Sequence, residues 1–234
     1  MKDPKPPFTS PLQPPSRGEV PKLALRVDVV TIDPEALQEA LAVHPVDYLF
    51  VVSHPDSVHA TNTLIRRIKR VAAVPVVLCP EHYFSIDPAA DALLFFSFIA
   101  ERDPERLIGQ HVHVAPVLKR SRLAVWPTGF MRVDLMGNYQ PSADLPTVVA
   151  CTALAGEQLG LRQIYLDADG PVPPSLVAAV RRTVEVPLLV GGEITGASAA
   201  RRLAEAGADV VVLRAEKNLG QLPEVSKTLR RKSI

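Results

Sequence analysis

Residues Pro187–Ala215 read PLLVGGEITGASAARRLAEAGADVVVLRA. A short apolar run ends in a glycine pair. A small-residue amphipathic stretch follows, and a second apolar run, Asp209–Leu213, ends in Arg214-Ala215. Near-continuous apolar runs of this length are what parallel strands covered on both faces look like. Strand, helix and strand within about thirty residues make one βαβ unit.

The same unit recurs back along the chain. Strands are predicted over residues 23–30, 46–53, 74–79, 91–97, 123–133, 163–167, 187–190 and 209–213. Helices are predicted over 34–42, 57–71, 104–118, 145–159, 173–183, 197–206 and 222–230. Asp33-Pro34, Asp103-Pro104 and Thr195 ahead of Ala197 supply caps or first-turn prolines. Eight strands alternating with helices argue for a closed TIM (β/α)8 barrel over an open sheet. One crossover is short. Between Cys79 and Asp91 lies PEHYFSIDPAA, too irregular for a full helix, so one outer helix, after the third strand, is expected to be missing. Such a gap either forms a groove for a long apolar ligand or is packed shut by the connector.

The length of 234 residues suits one barrel domain, and 47% hydrophobic residues suffice for its core. A net charge of +1 gives no reason to expect a nucleic-acid partner. No apolar run reaches the roughly 20 residues of a membrane span, and the N-terminus has no secretory apolar segment. The expected location is the cytoplasm or the cytoplasmic face of a membrane. Cys79 and Cys151 are expected to be reduced core thiols. Residues 1–21 are proline-rich and expected to be an extended or disordered tail ahead of a domain over 22–234. The tail is either passive or an arm that lies along a partner.

The loops after the last strands of such a barrel commonly cradle phosphate with glycine-flanked backbone N–H groups. Gly170, Gly191 and Gly192 are in place for this. Asp169, Pro171, Glu193 and Arg214 are not: an added acid repels phosphate, and proline has no N–H to donate. Arg214 either reaches the vacated phosphate position or pairs with Glu193 and seals the cup. The second is expected, because Asp167, Asp169 and Glu193 make the mouth acidic. His54 with Asp28 and Asp56 would have the donor types for a divalent metal, which needs three or four convergent ligands. A solvated loop histidine is the expected reading. Trp126 is expected in the core or lining a groove.

An ordered series of segments carries a family resemblance. Ala90–Val117 reads ADALLFFSFIAERDPERLIGQHVHVAPV, followed by LKRSRLAVWPTGFMRVD, ACTALAGEQLGLRQIYLDADG and EVPLLVGGEITGASAARRLAEAGADVVVL. The series resembles the geranylgeranylglyceryl and heptaprenylglyceryl phosphate synthase family over nearly all of Lys22 to Glu216. The resemblance implies a TIM barrel lacking one helix. It implies a transferase that joins a prenyl diphosphate to glycerol 1-phosphate with Mg2+ on the diphosphate.

Carried over residue by residue, the resemblance makes Asp28 the metal ligand and Tyr165 and Asp167 the catalytic residues. It makes Gly170, Gly191 and Gly192 substrate-binding residues, with Arg214 standing where the family has glycine. The second acid and the lysine that follow the strand-one Asp in the family are absent, and Val52-Ser53-His54 replaces Gly-Gly-Ser. Two functions follow as expectations. One is a divergent prenyltransferase, Mg2+-dependent if active, taking a prenyl diphosphate or another apolar ligand. The other is a non-catalytic relative, needing no cofactor, that acts as a structural subunit through its surface and N-terminal arm. In either case a homodimer or a protein complex is expected.

Overall fold

The computed structural model describes residues 12–18, 20–80, 86–101, 103–136 and 144–230. Eight strands run β1 (Lys22–Asp28), β2 (Tyr48–Ser53), β3 (Val76–Pro80), β4 (Ala92–Phe98), β5 (Ala124–Arg132), β6 (Gln163–Asp167), β7 (Leu188–Val190) and β8 (Val210–Arg214). Every neighbouring pair is parallel, and β8 pairs with β1 to close a barrel. Outside it lie α1 (Pro34–Val43), α2 (Val58–Val71), α3 (Gln110–Arg120), α4 (Leu145–Gln158), α5 (Pro174–Arg181), α6 (Gly196–Glu205), the short α7 (Ala215–Asn218) and α8 (Leu222–Arg230). Residues 86–91 of the connector after β3 carry no helix, and 81–85 lie outside the described residues. No helix among the described residues is long and apolar enough to cross a membrane.

Period-two alternation divides the apolar residues into two cores. Leu23, Leu25 and Val27 face outward and pack with the helices. Ala24, Phe50, Val77, Leu94, Trp126, Tyr165 and Val212 face the barrel axis. Inward positions near the strand C-termini are where the alternation turns polar, and this phase places the site residues. Asp33 caps α1, its Oδ1 accepting from Glu35 N at 2.9 Å, as expected. Thr195 sits at the cap position of α6 but makes no side-chain cap bond. The helix predicted over 104–118 begins instead with a wider π turn, Glu105–Gly109, before α3. Cys79 is buried, which pushes its thiol pKa up. Cys151 is exposed, contrary to expectation: it lies on the outer face of α4, which turns Val149, Ala150 and Ala153 inward.

The N-terminal end of the barrel is closed by the chain that precedes β1. Trp126 is buried on the axis, and its Nε1–H donates to Leu12 O at 3.0 Å. Tyr48 meets Trp126 edge-on at 5.7 Å. Pro15 is buried, and Arg17 forms an ion pair with Glu185. Asp209 is the hub of this floor. Its Oδ1 accepts from Gly18 N, and its Oδ2 accepts from Leu188 N at 2.8 Å and Arg181 NH1 at 2.9 Å. Burial lowers the Arg181 pKa, and the Asp209 charge opposes that shift. Removing one partner of a buried ion pair typically costs about 3–5 kcal/mol. Asp209→Ala is therefore expected to lower the unfolding free energy by about that amount, and Asp209→Asn by less. Urea unfolding followed by circular dichroism measures both; an Asp209→Ala variant as stable as the parent would remove the hub role.

Candidate active site

The strand C-termini surround a cavity of about 260 Å³. Its lining has three parts. Arg26, Arg106 and Arg132 supply positive charge. Tyr165 and Asp167 supply polar groups. Phe96, Phe98 and Phe130 form an aromatic wall. The wall is continuous: Phe96 and Phe130 lie 4.9 Å apart, Phe98 and Phe130 5.2 Å, and Phe130 meets Tyr165 edge-on at 5.3 Å. The Arg106 guanidinium lies 3.9 Å above the Phe98 ring. Cys79 and Pro80, at the end of β3 where the connector carries no described helix, line another side.

Six of the seven residues singled out from the sequence come together. Tyr165 is 2% exposed, and its hydroxyl has no hydrogen-bond partner among the described residues. Burial first, then the neighbouring Asp167 charge, pushes its pKa well up, so the phenol remains an O–H donor. Asp167 Oδ1 is likewise buried without a hydrogen-bond partner. Gly191 explains how both fit. A Cβ there would lie 2.8 Å from Asp167 Oδ1 and 2.9 Å from the Tyr165 hydroxyl. Gly192 has φ +93°, and a Cβ would come within 2.7 Å of Gly170 O. Gly170 has open space around it, and its carbonyl accepts from Glu193 N at 2.9 Å.

Arg214 corrects an expectation. It does not pair with Glu193. Its inward phase on β8 carries it to the axis, where NH2 donates to Ala168 O at 2.6 Å and lies 3.6 Å from Asp167 Oδ1. Glu193 pairs with Lys217 at 3.3 Å instead. That ion pair lies beside a second cavity of about 160 Å³, lined by Gly192, Thr195, Arg214 and Asn218 among others, where the phosphate cup was expected.

Asp28, the seventh residue, stands apart beside His54. His54 Nε2 lies 3.1 Å from both carboxylate oxygens, and Val30 N donates to Oδ1 at 2.9 Å. His54 is therefore not the solvated loop side chain expected, because the turn after β2 folds it onto the end of β1. Nor is it part of a metal cluster: among the described residues no three His, Cys, Asp or Glu side chains converge to hold an ion. A donor equidistant from both oxygens occupies the position a bidentate cation would take. As they stand, the residues around Asp28 do not fit the Mg2+ that the resemblance assigns to it.

Sequence reasoning missed the arginines. Arg26 lies two residues before Asp28 and so shares its face. A charged residue inside the apolar run KLALRV was the available signal. Arg132 binds Asp134 through two hydrogen bonds, at 3.0 and 2.7 Å, and Asp169 at 2.8 Å, which raises its pKa further. Arg106 pairs with Glu101 at 2.9 Å. Arg26 alone of the three makes no side-chain hydrogen bond or ion pair with a described residue. Burial opposes its charge, but Tyr165, Asp167, Cys79 and Glu216 raise its pKa above the usual arginine value.

Residues 26–218 match the PcrB family. This chain belongs to that family. The geranylgeranylglyceryl phosphate synthase of Spirosoma linguale is 38% identical, over 86% of this chain and 90% of its own length. That of Chitinophaga pinensis is 32% identical over 83% of each. The barrel superposes on the Thermoplasma acidophilum synthase, solved in complex with sn-glycerol-1-phosphate, at a TM-score of 0.80 and 23% identity, covering 90% of this chain and 93% of that one. The wild-type Thermoplasma volcanium enzyme gives the same TM-score at 22% identity. The PcrB-family assignment thus rests on sequence over most of the chain, and the solved structures agree in fold.

A contrast between two glycines tests the polar pair. Gly191→Ala is expected to cost about 1–3 kcal/mol by crowding Asp167 and Tyr165. Gly170→Ala, facing open space, is expected to change stability far less. Paired thermal melts check this, and equal effects would mean that Gly191 does not set the packing of Tyr165 and Asp167.

Proposed function

We propose that this PcrB-family protein is a prenyltransferase that joins a prenyl diphosphate to glycerol 1-phosphate or a related phosphorylated acceptor. The observation that carries this reading is the pair of Tyr165 and Asp167, an O–H donor and a carboxylate oxygen side by side at Gly191, neither with a hydrogen-bond partner among the described residues. A buried polar group without a partner costs about 1–3 kcal/mol. A hydroxyl ligand satisfies both groups at once, donating to Asp167 and accepting from Tyr165. A scaffold has no use for such a pair, and this favours the enzyme.

The geometry supports a direct displacement. The acceptor hydroxyl oxygen forms a bond to the first prenyl carbon as the bond from that carbon to the diphosphate breaks. The hydroxyl proton passes to Asp167 Oδ1, and the diphosphate departs with the electron pair. Tyr165 orients the attacking oxygen. Phe96, Phe98 and Phe130 exclude water, and their π faces favour the positive charge that develops on an allylic carbon. Arg26, with no side-chain partner among the described residues, faces the anionic groups. The Lys217–Glu193 pair beside the second cavity supports a weaker hold on the acceptor phosphate than a bare glycine loop provides. We place this reaction in the cytoplasm, at a membrane face where a prenyl substrate partitions.

Asp167→Asn is expected to lower kcat by about 10²–10⁴-fold, with a smaller change in KM, since loss of a general base acts on the chemical step. A radiolabelled prenyl-transfer assay with glycerol 1-phosphate reads both. Full activity in Asp167→Asn would take the proton elsewhere.

We further propose a homodimer. An apolar groove of about 550 Å³ runs along α4, with Ile99, Leu107, Val148, Ala155 and Leu159 in its lining. Leu159 is 76% exposed, and nearby Ile108 is 61% exposed. A second copy would cover them. Light scattering is expected to give twice the chain mass, and Leu159→Glu with Leu107→Glu is expected to return the monomer. A parent protein that scatters as a monomer would remove the proposal.

A further inference from the structure

We infer that His54 takes the place of the divalent cation in this chain, so that the barrel mouth binds a diphosphate anion without magnesium. The inference rests on the prenyltransferase reading and concerns how that site holds its diphosphate. Two observations carry it. The first is the seat on Asp28. His54 Nε2 bridges both carboxylate oxygens at 3.1 Å each, and Val30 N takes a further position on Oδ1. Asp28 N in turn donates to Glu216 Oε1 at 2.7 Å, which fixes the backbone beneath the carboxylate. A magnesium ion on Asp28 would have to displace the imidazole. His54 is itself held: its backbone N–H donates to Ser57 Oγ at 2.9 Å, and its carbonyl accepts from the Ser57 hydroxyl at 3.0 Å.

The second observation is that the cavity carries its own cation for an anion. Arg132 is committed to Asp134 and Asp169, and Arg106 to Glu101 and the Phe98 face. Arg26 lines the cavity with no side-chain partner among the described residues. A guanidinium offers two parallel N–H donors to a phosphate group and is always charged. A magnesium ion bound through one carboxylate relies on substrate phosphates and water for its remaining ligands. Here the carboxylate is occupied, and Arg26, two residues before it on the same face of β1, lines the cavity with no side-chain partner among the described residues.

Calorimetry with inorganic pyrophosphate tests this on the full chain, in excess chelator and in excess Mg2+. Binding is expected in chelator, with no strengthening by Mg2+. Arg26→Gln is expected to weaken it by about 10–100-fold, the equivalent of one charge-assisted hydrogen bond. In His54→Ala the carboxylate is freed, and Mg2+ is then expected to strengthen binding by about tenfold or more, a gain that Asp28→Asn in the same background abolishes. Strengthening of about tenfold or more by Mg2+ in the unaltered protein overturns the inference and leaves the proposed function standing. No pyrophosphate binding in either condition overturns both. A His54→Ala variant that folds, as judged by its thermal melt, and gains nothing from Mg2+ shows that His54 does not hold the cation's seat.

Discussion

Closure of the sheet between β1 and β8 governs the chemistry of the mouth. The register runs from Lys22 opposite Val210 to Arg26 opposite Arg214. Both arginines share the inward phase, so closure sets two guanidinium-bearing residues side by side on the barrel wall. Two like charges in a partly desolvated site repel, and the surroundings must answer them. Arg214 is met by Ala168 O and Asp167, and Arg26 by the more distant field of Asp167 and Glu216. Asp167 is thus the charge that both arginines share, Arg214 at 3.6 Å and Arg26 through its longer-range field. Its Oδ1 nevertheless makes no hydrogen bond, because Arg214 stops at 3.6 Å.

The strand ends hold most of their charged side chains in pairs. Where Glu193 was expected to pair with Arg214, it faces Lys217. Where a metal ligand was expected, an imidazole sits on the carboxylate. Gly191 and Gly192 have steric roles: a methyl group at either would run into a carboxylate oxygen or a carbonyl. These glycines are needed to seat Tyr165 and Asp167 and to let the β7 loop pass under Gly170, whether or not their N–H groups meet a phosphate.

The barrel was legible because its signal is redundant. Strand β6 was read at its observed bounds, Gln163–Asp167, and the other strands within two residues at each end, because apolar runs between turn residues leave little choice. The side-chain partners were harder, since they depend on phase and register rather than on neighbours in sequence. Arg214 and Glu193 are both charged and both follow late strands, so pairing them was reasonable. Only the inward phase of Val210, Val212 and Arg214 tells that the guanidinium turns to the axis. His54 meets Asp28 because β1 pairs with β2, Asp28 opposite Val52, two residues before the histidine. Nothing local to either residue announces that contact. The exposure of Cys151 depends on phase in the same way: only the face of α4 that carries Val149, Ala150 and Ala153 packs on the barrel.

The floor has a consequence for how the molecule comes into being. The bond from Gly18 to Asp209 spans 191 positions along the chain, and that from Trp126 to Leu12 spans 114. Contacts of such separation form late, since a long loop must be closed before they repay its entropy. During synthesis residues 12–18 are made long before Asp209, the anchor just ahead of β8, exists. Until then the inner face of β5, with Trp126 on it, has no cover from below. A segment ahead of β1 thus depends for its seat on a residue made only after β7.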